Sequence, residues 1–92
     1  MADVTKTSGY PKLIGTMGLY SVYLYKITDV DDDEELDTGL GSRAVTHTTT
    51  WTGDPGTQAS GGGNSTLATG VITFNPSTDN LGADVLVYAT GM

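Results

Sequence analysis

Leu19-Tyr20-Ser21-Val22-Tyr23-Leu24-Tyr25-Lys26-Ile27-Thr28-Asp29-Val30 is the stretch on which the fold turns. It is the longest run rich in aromatic and β-branched residues, and neither Gly nor Pro interrupts it. Three tyrosines and two valines are poor helix formers, so the run reads as a strand. One face carries Leu19, Tyr23, Tyr25 and Ile27. The other carries Tyr20, Val22 and Leu24 before Lys26 and Thr28 turn it toward water. A strand that is apolar on both faces over its first half lies inside something, with a layer or a partner on each side.

Working outward, Leu13–Met17 reads as a short additional strand, and residues 1–12 as an extended N-terminal arm, frayed or laid across a neighbour. Downstream, the acids of Asp29–Gly39 repel one another, which predicts an exposed loop leading to a turn near Thr38–Gly41. Ala44–Thr52 alternates Val45, His47, Thr49 and Trp51 on one face with a wall of threonines on the other. Residues 53–70 are low in complexity: Asp54-Pro55-Gly56 is turn chemistry, and Gly61-Gly62-Gly63-Asn64 reads as a flexible link with little to bury. Val71–Asn75 and Asp84–Thr90 complete the set of strands, separated by the turn-forming residues 76–82. With no helical periodicity, this is a single all-β domain of residues 1–92: a small antiparallel β-sandwich or partly closed barrel with long Gly/Thr-rich loops.

Composition narrows the chemistry. Leu, Ile, Val and Phe make up 19 of the 92 residues, near the roughly one-fifth level at which a charged chain stops folding alone. Stability borrowed from neighbouring subunits is therefore expected. The net charge of −7, with only Lys6, Lys12, Lys26 and Arg43 as cations, argues against nucleic acid and against an anionic membrane surface. No apolar leader follows Met1 and no apolar run is long enough to span a bilayer, so synthesis in the cytoplasm is expected. There is no cysteine, and His47 is the only histidine, so thiol chemistry and a His-pair metal site within one chain are excluded.

The acidic run fails as an EF-hand, because Glu34 stands where Gly is needed and Leu40 where a bidentate Glu is needed. A looser divalent site from Asp29, Asp31, Asp33 and Glu35 competes with a plain solvated loop, which the like charges favour. No serine sits in a nucleophile elbow, and Gly61–Ser65 lacks the Lys of a phosphate loop. No catalysis, cofactor or bound metal is expected. Trp51 with Tyr20, Tyr23, Tyr25 and Tyr88 would suit a sugar-stacking platform, but aromatics at this density more often fill a small β core or an interface. Tyr20, Val22, Tyr23, Leu24 and Trp51 are the candidate interface residues, since the rest of the chain has too few large side chains to cover both faces of the central strand.

The ending, Thr69-Gly70-Val71-Ile72-Thr73-Phe74-Asn75 followed by Gly82-Ala83-Asp84-Val85-Leu86-Val87-Tyr88-Ala89-Thr90-Gly91, resembles that of small structural proteins of tailed-bacteriophage virions, as does the Thr38-Gly39-Leu40 turn feeding a Thr-rich strand. The resemblance covers about half the chain and brings no functional residues with it. It implies a non-enzymatic decoration (cement) protein of the virion, a homo-oligomer, preferably a trimer, bound to the major capsid protein. A small tail or head-fibre component, or a glycan-binding module using Trp51 and the tyrosines, are the alternatives.

Overall fold

The computed structural model describes residues 4–6, 11–53, 56, 64–77 and 81–90, with Thr5 and Lys6 described by backbone alone. Among these residues eight strands form two antiparallel sheets that pack together as a sandwich, with one short 3-10 turn at Gly41–Arg43. The larger sheet holds β1 (Thr5–Lys6), β2 (Lys12–Met17), β3 (Tyr20–Val30), β5 (Ala44–Trp51) and β8 (Leu81–Ala89). Its order is β1-β3-β8-β5, and β2 takes the other half of the β3 edge that β1 occupies. The smaller sheet, in order β4-β7-β6, holds β4 (Glu35–Asp37), β6 (Ser65–Ala68) and β7 (Val71–Phe74).

The central strand behaves as its alternation predicts. Tyr25 and Ile27 are buried, and with Ala83, Val85 and Val87 of β8 they meet Leu36, Ile72 and Phe74 from the smaller sheet. The alternation would send Val30 outward, yet Val30 is wholly buried. A bulge supplies the correction: Ile27 pairs with Ala83 and Val30 with Leu81, so β3 has one extra residue there. Asp29, at φ +60, absorbs it.

Three expectations are revised. The predicted acidic loop begins too early and ends too late. β3 runs through Asp29 and Val30, and Glu35–Asp37 forms β4 because Leu36, the one large apolar residue between Val30 and Leu40, is buried at 1% exposure. The end of the low-complexity region is not a linker either, since Ser65–Ala68 is β6 and pairs with β7 through a two-residue turn at Thr69-Gly70. Both turn residues have positive φ (+48 and +76), the twist that a tight hairpin requires. A β-branched Thr is disfavoured there, which is why the turn is hard to see in the sequence. Finally, within the segment read as an arm, Val4 is buried in the core and Thr5–Lys6 pairs with Thr28 and Ile27. Residues 1–3 and 7–10, and the glycine run 61–63, lie outside the described residues.

A buried polar knot locks the two sheets. The Tyr25 hydroxyl donates to the Thr38 carbonyl at 2.6 Å. Thr38 in turn donates from its backbone N–H (2.9 Å) and its hydroxyl (2.6 Å) to the Gly70 carbonyl. Burial, then the neighbouring Tyr23 and Asp37, pushes the Tyr25 phenol up to about 12. Because the folded state holds this proton more tightly than the unfolded chain, the contribution is complete below pH 10.0 and is lost as pH rises toward about 12. The loss is roughly 2–3 kcal/mol. Denaturant titrations across that range should therefore show stability falling with pH, and Tyr25→Phe should flatten most of the slope. An equal slope in the variant would place the responsible group elsewhere.

Candidate functional site

With odd-numbered residues of β3 and β8 turned inward, Val22, Leu24, Leu86 and Tyr88 face away from the smaller sheet. Register confirms the pairing, Val22 opposite Tyr88 and Leu24 opposite Leu86. The β2–β3 hairpin extends this outer face. Met17 pairs with Tyr20 across the two-residue turn Gly18-Leu19, where Gly18 at φ +59 supplies the first turn position. All six residues of β2 are exposed. Ile14, Met17, Val22, Leu86 and Tyr88, with Gly15 and Thr16, line an open groove of about 270 Å³ on this face. Val22 forms its floor, only 6% exposed.

Apolar surface is concentrated here. Among the described residues six large hydrophobics are exposed: Leu13, Ile14, Met17, Leu19 and Tyr20 lie in the hairpin and Val45 lies elsewhere. Leu13, opposite the inward Tyr23, stands on the other side of the sheet from Met17 and Tyr20. Leu19 at the tip is 88% exposed. Charge is sparse on the same face: Lys26 and Asp84 neutralise each other at 2.8 Å, and Lys12 lies opposite Leu24. Seven of the chain's eleven acids fall between Asp29 and Asp37, at the far end of β3 from the hairpin.

The five candidate interface residues divide between the faces. Tyr20, Val22 and Leu24 belong to the outer face. Tyr23 and Trp51 turn inward and pack against the core, Trp51 edge-on to Phe74 with ring centres 5.8 Å apart. The same division separates the aromatics proposed for sugar stacking, since Tyr23, Tyr25 and Trp51 face in while Tyr20 and Tyr88 face out. They form no common platform. Leu13, Ile14 and Met17 are the exposed residues that sequence reasoning passed over. The signal was present as Gly18 between two alternating runs, the mark of a tight hairpin.

Two other clusters are structural in character. The His47 Nε2 lies 2.8 Å from the Ser65 hydroxyl, which also meets the Thr49 hydroxyl at 2.9 Å. Ser65 is 2% exposed, so this hydroxyl joins the open edges of the two sheets rather than facing a substrate. Burial pushes the His47 imidazole below its usual value, so the site holds a neutral ring and acid opposes it. In the acidic run, the Asp31 N–H donates to Glu34 Oε1 at 2.7 Å, closing a turn. Asp29, Asp31, Asp33 and Glu35 do not converge: among the described residues no three metal-ligating side chains stand close enough to share an ion.

Comparison of the chain with protein-family models, with curated proteins and with solved structures finds no match.

Proposed function

We propose that this chain is a non-enzymatic structural subunit of a virion, of the decoration type, which seats the outer face of its larger sheet on a shell of capsid protein. The observation that carries the reading is the concentration of exposed apolar side chains on the β2–β3 hairpin and the groove beside it. The largest contiguous apolar patch on a monomer's surface is often the one that binds something. Here the patch formed by Met17, Tyr20 and the groove beside them sits on one face of a highly acidic protein, and most of the acids lie at the opposite end of β3. That separation lets the apolar face dock while the acidic end stays hydrated.

Seating such a face is favourable because each large apolar side chain taken fully out of water contributes about 1.5–3 kcal/mol. Shells assembled without the chain should take it up from solution and then open at a higher temperature. Shells that neither bind it nor gain heat resistance would remove this reading.

A further inference from the structure

The lateral side of the sandwich carries a second surface, built from strand edges rather than from a face. β5 is the last strand of the larger sheet and β6 the last of the smaller one. The two edges lie over one another, tied by the contacts of His47 and Thr49 to Ser65. Neither Ala44–Trp51 nor Ser65–Ala68 contains a charged residue or a proline. Strand edges in soluble proteins are ordinarily blunted by such residues or by irregularity. The opposite side of the molecule follows that rule, with Lys12 at the start of β2 and a bulge between Leu13 and Gly15. β5 has a bulge of its own between Ala44 and Thr46, which leaves Thr46–Trp51 as its regular, uncharged stretch.

The hydrogen-bond phase of β5 shows what the edge offers. The Thr52 N–H donates to the Gly82 carbonyl, so the even-numbered residues of the regular stretch turn their backbone groups toward β8. The N–H and C=O of His47 and Thr49 therefore point the other way, where no strand stands among the described residues. The outward threonines Thr46, Thr48 and Thr50 are all exposed.

We infer that β5 pairs with β5 of a second copy, antiparallel about a two-fold axis at Thr48. This register sets His47 opposite Thr49 twice, so all four of the outward backbone groups just named are satisfied. It also sets Thr48 against Thr48 and Thr46 against Thr50, pairs of a kind that stabilise neighbouring strands. The choice of a second copy as partner rests on this self-complementary register, in which the outward groups of His47 and Thr49 meet the same groups of an identical edge. Two chains of net charge −7 repel, and among the described residues β5 and β6 carry no acid, whereas β4 and its acidic neighbours occupy the far edge of the smaller sheet. An edge paired with itself closes at two copies, a dimer in place of the trimer that the resemblance implies. The axis stands normal to the sheet, so both copies present their outer apolar faces on the same side. The pairing thus doubles the seating face without drawing on the groove-lining residues, although Thr46 and Thr48 stand beside Tyr88 and Leu86 on that face. Cross-linking through position 48 reads the pairing alone and shell binding reads the seating alone.

The absence of cysteine makes the test clean. Thr48→Cys places one thiol on the axis, opposite its own copy at about 4.5 Å between Cα atoms, within disulfide reach. Thr50→Cys places its thiols roughly 14 Å apart in the same dimer. Under mild oxidation the first variant should form a covalent dimer at least about tenfold faster than the second. The unmodified chain should sediment at twice its 9.5 kDa mass, and Thr48→Lys, with its side chain in solvent, should sediment as a folded monomer. Equal cross-linking of the two Cys variants, or a Thr48→Lys chain that remains dimeric, would overturn the pairing. A monomeric Thr48→Lys chain that still binds shells would leave the seating proposal intact.

Discussion

Phe74→Ala is expected to cost about 3–5 kcal/mol, the largest loss from any single core truncation in this chain. Phe74 is fully buried at the centre of the sandwich, and its ring supports the edge of Trp51. Removing it forfeits the transfer of the ring from water and leaves a cavity bounded by strands from both sheets, which cannot collapse without breaking register. A chain of 92 residues has a total stability of only about 5–14 kcal/mol. The melting temperature should accordingly fall by on the order of 20 °C. Thermal unfolding followed by circular dichroism measures this, and a fall of only a few degrees would mean that Phe74 is not in the core.

Gly70→Ala should come close, at about 3–4 kcal/mol, for a different reason. A Cβ at position 70 would lie 2.6–2.8 Å from the backbone N, Cα and O of Gly41, atoms that cannot swing aside like a side chain. The φ of +76 adds strain for any residue with a Cβ. The Gly70 carbonyl also accepts both Thr38 donors, so displacing the turn loosens the knot that reaches Tyr25. Urea unfolding of Gly70→Ala beside Gly39→Ala gives the comparison. Gly39 shares a φ of +76 but has open space around its missing Cβ. Equal losses would show that backbone strain alone, and not the contact with Gly41, sets the cost.

The readable parts of this fold were those where one side of an alternation is buried by its own sheet. Tyr20–Val30, Ala44–Trp51, Val71–Phe74 and most of Leu81–Ala89 announce themselves in this way. What stayed hidden was decided by single residues or by backbone conformation. Leu36 alone draws an acidic segment into β4, while Thr69 adopts a conformation that its side chain disfavours. The bulge at Asp29, which returns Val30 to the core, has no signature in composition. The candidate site was half legible. An excess of apolar surface around Tyr20–Leu24 predicted a partner, but which aromatics face outward depends on strand phase, and that phase turned Tyr23 and Trp51 inward. β2 was underestimated because its residues bury little within one chain.

Ile14→Ser/Met17→Ser tests the seating face with little risk to the fold, since the two side chains are 53% and 60% exposed. Loss of two half-buried apolar contacts should weaken attachment to a shell by about 2 kcal/mol, roughly thirtyfold. Binding of the unmodified and doubly substituted proteins to the same capsid shells, measured by sedimentation over a concentration series, gives that ratio. The account requires a folded variant with an unchanged melting temperature and a dissociation constant raised by about this factor. A folded variant that binds the shell as tightly as the unmodified protein would contradict it.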